Sequence, residues 1–239
     1  MSDLLVFDFF SDTGHFKRYY TTSSPITFAF PPKTAIQGVL GAILGIEKES
    51  CIAVFQKAQL KVAIQILNPI KKFRMGIKWI KTSSVSSMQK VEPKPIVQEY
   101  LRDCRYRLYI SLEDKTLFND LQTKLELKQT FYSLCMGITE CLAHYGYVGK
   151  VSANVKEISE QLIEVHSLIP FSNLLRESDS VDFLEVGKIF QKERCCVEFS
   201  SERQPLRFED FLFETSGHPI RAKVNQYQVL SSGENIILF

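Results

Sequence analysis

The chain has 239 residues, 45% of them hydrophobic and 23% charged, with a formal net charge of +2 at neutral pH. That composition belongs to a folded chain long enough to bury a core, in one large domain or two small ones, and excludes disordered and fibrous classes. No apolar run approaches the roughly 18 residues that a membrane-spanning helix needs, and the apolar start, LLVFDFF, is broken by Asp8 and lacks a basic flank, so it reads as a strand rather than a signal peptide.

In chain order, residues 4–10 alternate as a first strand, followed by a loop of some twenty residues, long enough to suggest a function. That loop opens on His15, Phe16, Lys17, Arg18, Tyr19 and Tyr20 and closes on Pro31 and Pro32. A helix follows, started by Thr34 or the prolines and capped by Gly45. Ile36, Val39, Leu40, Ile43 and Leu44 make its apolar stripe; Thr34, Gly38, Gly41, Ala42 and Gly45 fall on the other side. Each helical glycine costs about 0.8–1 kcal/mol relative to alanine. A small-residue face of this kind fits the close approach of a ligand, of another subunit, or of a sheet packed beneath it.

Residues 60–67 alternate as a second strand, and 73–80 extend it or pair with it. The polar, proline-bearing run that follows holds too few apolar residues to enter a core and projects as an arm over about 81–102. Residues 105–112 return as a strand. Ser111 and Asp114 suggest a capping box for a helix carrying Leu117, Phe118, Leu121 and Leu125 on one face. Further strands are expected at 131–136 and 141–151. The resulting β-α-β-β-α-β order is that of a ferredoxin-like fold. The expected fold class is therefore α+β, with a ferredoxin-like domain over residues 1–150 and a small, mainly antiparallel β region over 151–239. In the latter, residues 189–199, 208–213, 224–229 and 235–239 are the strands, and 155–165 fits helix or strand.

Charge is unevenly placed. Residues 71–107 hold ten lysines and arginines against three acids, a net of +7, so the rest of the chain sums to −5. A basic face of this kind suits a polyanion, the plain alternative being a solvated, lysine-rich hairpin. Cations beside aromatics suit single-stranded RNA, held by its phosphates and by stacking on splayed bases. His15, Phe16, Lys17, Arg18 and Tyr19 are candidates on that ground. Lys33, Thr34, Gln37 and Gly38 are candidates because free amides at a helix start receive phosphates. Arg74, Lys78, Trp79 and Lys81 come from the basic segment, although a lone tryptophan at a strand end is as readily part of a core edge. The six scattered cysteines form no C-x-x-C motif and the four histidines have no metal-ligand spacing, so reduced thiols and neither metal nor cofactor are expected.

The ordered set of GHFKR, then T-x-x-x-P-P-x-x-x-x-x-G-x-L-x-x-x-L-G over residues 27–45, a basic strand, a projecting arm and a late LCMGITEC segment resembles the CRISPR-associated Cas-five family of the RAMP superfamily, in its type I-B-like branch. The resemblance implies a cytoplasmic, noncatalytic subunit of a type I Cascade complex in antiviral defence. It would cap the 5′ handle of the CRISPR RNA, contact the Cas-seven-like backbone and Cas-eight-like large subunits, meet target DNA indirectly, and have no membrane partner. The arm would be a thumb that displaces a base, with Met88 or Val91 as the wedge and Lys90 and Lys94 flanking the RNA. The alternative is a metal-independent endoribonuclease, as in type I-C relatives, with His15, Lys17 and Tyr19 as the reacting set. The adjacent K-H signature of that branch is absent.

Overall fold

The protein was analysed as a computed structural model that describes residues 2–21, 24–80, 93–200 and 202–239. It is mainly β, with few helices. The principal sheet contains β1 (Ser2–Gly14), β2 (Lys61–Ile66), β3 (Lys71–Ile80), β4 (Pro93–Ser111), β5 (His144–Glu157), β11 (Gln226–Leu230) and β12 (Asn235–Ile236), in the order β12-β11-β5-β1-β4-β2 with β3 also on β4. Every pairing is antiparallel. The helices are α1 (Lys33–Leu44), α2 (Cys51–Lys57) and α3 (Lys115–Glu126).

The nineteen-residue β4 serves two partners in succession. Its second half pairs with β2, from Lys61↔Ser111 to Ile66↔Tyr106. Its first half pairs with β3, from Lys71↔Arg102 to Ile80↔Pro93. The break between them falls at Asp103, whose φ of 51° bends the strand. Residues 73–80 thus extend β2 along a common partner.

The sheet curls until its edges meet. Val62 of β2 donates its N–H to the Phe239 carbonyl at 3.1 Å, and Phe239 donates back to Val62 at 3.0 Å, joining the β12 end to the β2 edge as a near-closed barrel. Leu4, Val6, Ala63, Tyr109, Ala153, Leu230 and Ile236 fill the inside. Leu5, Phe7 and Phe9, on the other face of β1, pack with Ile36, Leu40 and Ile43 of α1 and with Phe118, Leu121 and Leu125 of α3. Alternate residues on a strand face opposite ways, so β1 has both faces buried.

The remaining strands are β6 (Ile163–Val165) with β10 (Ile220–Ala222), and β7 (Ile169–Pro170), β9 (Pro205–Glu214) and β8 (Phe190–Phe199) as a three-stranded sheet. Phe30 sets its ring edge-on to Phe211 and Phe213, at 5.7 and 5.5 Å between centroids, and Cys195 and Val197 join the same core as α1. Residue 150, the boundary expected from sequence, falls inside β5, and β11 and β12 join the main sheet beyond it.

Three local expectations need correction. The α3 cap is Asp114 alone: its Oδ1 accepts from the N–H groups of Thr116 and Leu117 at 2.9 and 3.1 Å, and Ser111 is still in β4. Residues 131–136 form a turn with one isolated bridge, Cys135↔Leu142, instead of a strand. Residues 155–157 belong to β5 and 163–165 to β6, so that stretch is strand.

Candidate functional site

The loop after β1 is pinned from three sides. His15 is 2% exposed, donates Nδ1–H to the Glu99 carbonyl at 2.6 Å and lies 5.8 Å from the Tyr100 ring. Burial lowers its pKa below the ordinary histidine value. It is a neutral core residue, as Phe16 is a core residue, and neither presents a groove surface. Thr27 accepts the Phe16 N–H on Oγ1 at 2.9 Å, while its carbonyl accepts from Arg18 Nε at 3.2 Å and Lys72 Nζ at 2.9 Å.

Glu193 of β8 is the third anchor. It is 6% exposed, ion-paired with Arg18, 3.6 Å from Lys72 Nζ, and accepts the Ala29 N–H at 2.8 Å. Arg18 is therefore held by a buried carboxylate, while Lys17, Tyr19 and Tyr20 remain exposed. Tyr19 packs against Phe208 of β9 at 5.3 Å, and the Arg194 guanidinium lies 5.6 Å from the Phe208 ring. Arg194 and Phe208, far from the loop in sequence, escaped the sequence reading; alternation within each strand places them outward but does not bring them beside Tyr19.

Directly beside this loop stands the β3–β4 hairpin, tied to it by Glu99, which accepts the Thr27 N–H at 3.2 Å and donates its own to Pro25 at 2.9 Å. Directly paired residues share a face. One face of the ribbon carries Lys72, Arg74, Lys78 and Glu99; the other carries Phe73, Met75, Ile77 and Trp79 together with Lys71, Lys94 and Arg102. Arg74, Lys78 and Lys94 are exposed, and Trp79 is 43% exposed. Lys78 and Trp79, adjacent in sequence, thus point opposite ways. Phe73 stacks on Tyr100 at 5.6 Å, which seats the aromatic face on the body. Lys81, Met88, Lys90 and Val91 lie outside the described residues. Part of the basic segment is committed elsewhere: Arg105 and Arg107 each pair with the buried Asp8 carboxylate at 2.8 Å.

The α1 candidates are placed apart from the hairpin. Lys33 Nζ donates to the Phe239 carbonyl at 2.9 Å, and burial lowers its pKa to about 8. The unfolded chain keeps the ordinary value, 10.5, so between those pH values the fold binds fewer protons, and the contribution of this residue to stability rises with pH. Lys33→Met is therefore expected to be more stable than the parent at pH 7, with the difference shrinking as pH climbs from about 8 to about 10.5. Urea titrations across that range check it; a difference that does not vary with pH would discard the account. Thr34, Gln37 and Gly38 line a groove of about 760 Å³ between α1 and α2, to which no described hairpin residue contributes.

Among the described residues no group of three or more His, Cys, Asp or Glu is placed to hold a metal ion. Burial pushes the Cys104 and Cys195 thiols up to about 12, so neither is a thiolate near neutral pH. No described helix is long and apolar enough to cross a membrane.

The geometry defines a mainly β protein with a near-closed sheet and a hairpin that carries cations on both faces and its aromatics on one. The chain belongs to the family described as CRISPR-associated protein (Cas_Cas5), which matches residues 4–207. A crystal structure of a CRISPR protein from Archaeoglobus fulgidus aligns over 98% of this chain and 98% of its own, with a TM-score of 0.59 at 14% identity. A chain from a CRISPR RNA-guided surveillance complex aligns over 90% and 91%, with a TM-score of 0.52 at 10% identity. At those identities the likeness is one of fold. No curated protein matches the sequence.

Proposed function

We propose that this chain is a noncatalytic, cytoplasmic subunit of a type I CRISPR Cascade complex that binds and caps the 5′ handle of the CRISPR RNA and bridges the backbone and large subunits. The observation that carries the reading is the two-sided hairpin. Arg74 and Lys78 offer charge to phosphates from one face, and Trp79 offers a ring for a base on the other, beside Lys94. Family membership supports it.

Fluorescence anisotropy with single-stranded repeat RNA tests the reading. Replacing both Lys78 and Lys94 by alanine removes two cations, so the slope of log affinity against log salt should shallow by about 1.4. Affinity should fall with it. Unchanged affinity and slope in the double variant would remove the hairpin from RNA binding. The burial of His15 leaves the endonuclease alternative without an exposed histidine in the loop. Incubating the parent with the same RNA and a chelator should leave it intact; specific fragments lost in a Lys17→Ala variant would restore that alternative.

A further inference from the structure

Cations near the C-terminal sheets are mostly answered by acids. Lys192, Arg207, Arg221 and Lys223 each lie 2.6–3.4 Å from a carboxylate oxygen. Arg194 of β8 is different. Among the described residues its side chain makes no ion pair and no hydrogen bond, and the acid opposite it on β9, Asp210, pairs instead with Lys192 at 3.4 Å. The guanidinium is exposed and lies 5.6 Å from the Phe208 ring. In that position it keeps its five N–H donors around its edge, in the fork that fits phosphate oxygens.

The ring next to it is as open. Tyr19 is 62% exposed, yet it is held: Phe208 lies 5.3 Å away, and Tyr20 meets it edge-on at 5.1 Å. Tyr20 is itself fixed, because its Oη accepts from Arg18 Nη1 at 2.8 Å and Arg18 is paired with the buried Glu193. An aromatic ring that is oriented by its neighbours and still open to water is a stacking surface for a base, and it accepts any base because each has a π-face. The charge around it continues that of the hairpin. Glu193 also faces Lys72 at 3.6 Å, and Lys72 shares its hairpin face with Arg74 and Lys78. A ring and a free guanidinium at the end of a row of cations suit a single strand better than an uncharged protein surface.

We propose that Tyr19 and Arg194 form a second contact for single-stranded RNA, with one base stacked on the Tyr19 ring and the neighbouring phosphate bound by the Arg194 guanidinium. The strand then runs from the Arg74 and Lys78 face of the hairpin, over the loop after β1, onto the outer face of β8. This assignment rests on RNA binding by the chain and adds to it a path onto the C-terminal sheet.

Anisotropy with labelled single-stranded repeat RNA and the full chain, over a range of salt, separates the ring from the cation. Tyr19→Ala should weaken binding about fivefold or more with the salt slope unchanged, and Tyr19→Phe, which keeps the ring, should bind as the parent does. Arg194→Ala should weaken binding and shallow the slope by about 0.7. Both side chains are exposed, so melting temperatures should match the parent. Affinity and slope unchanged in Tyr19→Ala and Arg194→Ala, while the Lys78 and Lys94 double variant is weakened, would overturn this contact and leave the hairpin as the RNA site. The reverse pattern would support this contact and remove the hairpin. Tyr19→Phe as weak as Tyr19→Ala would refute stacking, and a parent that binds no RNA would overturn both readings.

Discussion

Glu193→Ala is expected to cost about 3–5 kcal/mol, the range for removing one partner of a buried ion pair. The carboxylate is 5% exposed and the Arg18 side chain 20%, so solvent takes over little of the lost interaction. Removal strands the Arg18 guanidinium, leaves the Ala29 N–H without its acceptor and takes a counter-charge from Lys72. In a chain of this size, such a loss lowers the melting temperature by about 10 °C. The effect should spread beyond the site, because Glu193 ties the loop after β1 to the C-terminal sheet; faster hydrogen exchange at residues 16–18 and 27–29 would report it. Replacing both Arg18 and Glu193 should cost less than the sum of the single changes. A loss below about 1 kcal/mol in Glu193→Ala would mean that the pair contributes no more than a surface contact.

Gly137→Ala is expected to destabilise by about 3 kcal/mol, for two reasons that add. Its φ of +94° is a conformation in which a Cβ costs about 1–2 kcal/mol. That Cβ would also lie 2.1 Å from the His15 carbonyl oxygen, a backbone atom that can move only with the chain around it. The turn cannot shift alone, since His15 donates its N–H to Met136 at 2.9 Å and Met136 donates to Cys141 at 2.7 Å. Chemical denaturation of the variant measures the loss, and a change under about 1 kcal/mol would show that the turn yields. Because this turn backs the loop that carries Lys17 and Tyr19, RNA affinity should fall with stability in this variant, whereas the hairpin cations act on affinity alone.

How much was legible in advance depended on whether the cause was local. The first helix was readable at both ends because prolines and a left-handed glycine act on their own backbone, and the structure runs it from Lys33 to Leu44 with Gly45 as its left-handed cap. The strands at 61–66, 190–199 and 205–214 were readable from composition and alternation. The turn at 131–136 was misread as strand because Leu134 and Met136 serve the core without a neighbouring strand along the segment, while Phe131 and Tyr132 stay exposed. His15 was misread as a surface cation beside Lys17 and Arg18, since sequence adjacency does not show that one member of a run points inward. Lys78 and Trp79 were grouped for the same reason, yet a pleated strand sends neighbours to opposite faces.

The sequence by itself determined the family, the bounds of α1, most strands and the concentration of positive charge between residues 71 and 107, since each rests on the order of residues along the chain. Only the tertiary structure decided that Phe239 closes the sheet against Val62, that β4 serves two partners, that Glu193 neutralises Arg18 from 175 residues away, and that Gly41 is crowded by Cys51 while Gly38 meets no described residue. Those outcomes turn on which distant segments meet. Pairing across a sheet and burial of a charge are properties of the assembled core, in which each residue's surroundings are set by parts of the chain that its own neighbours do not specify.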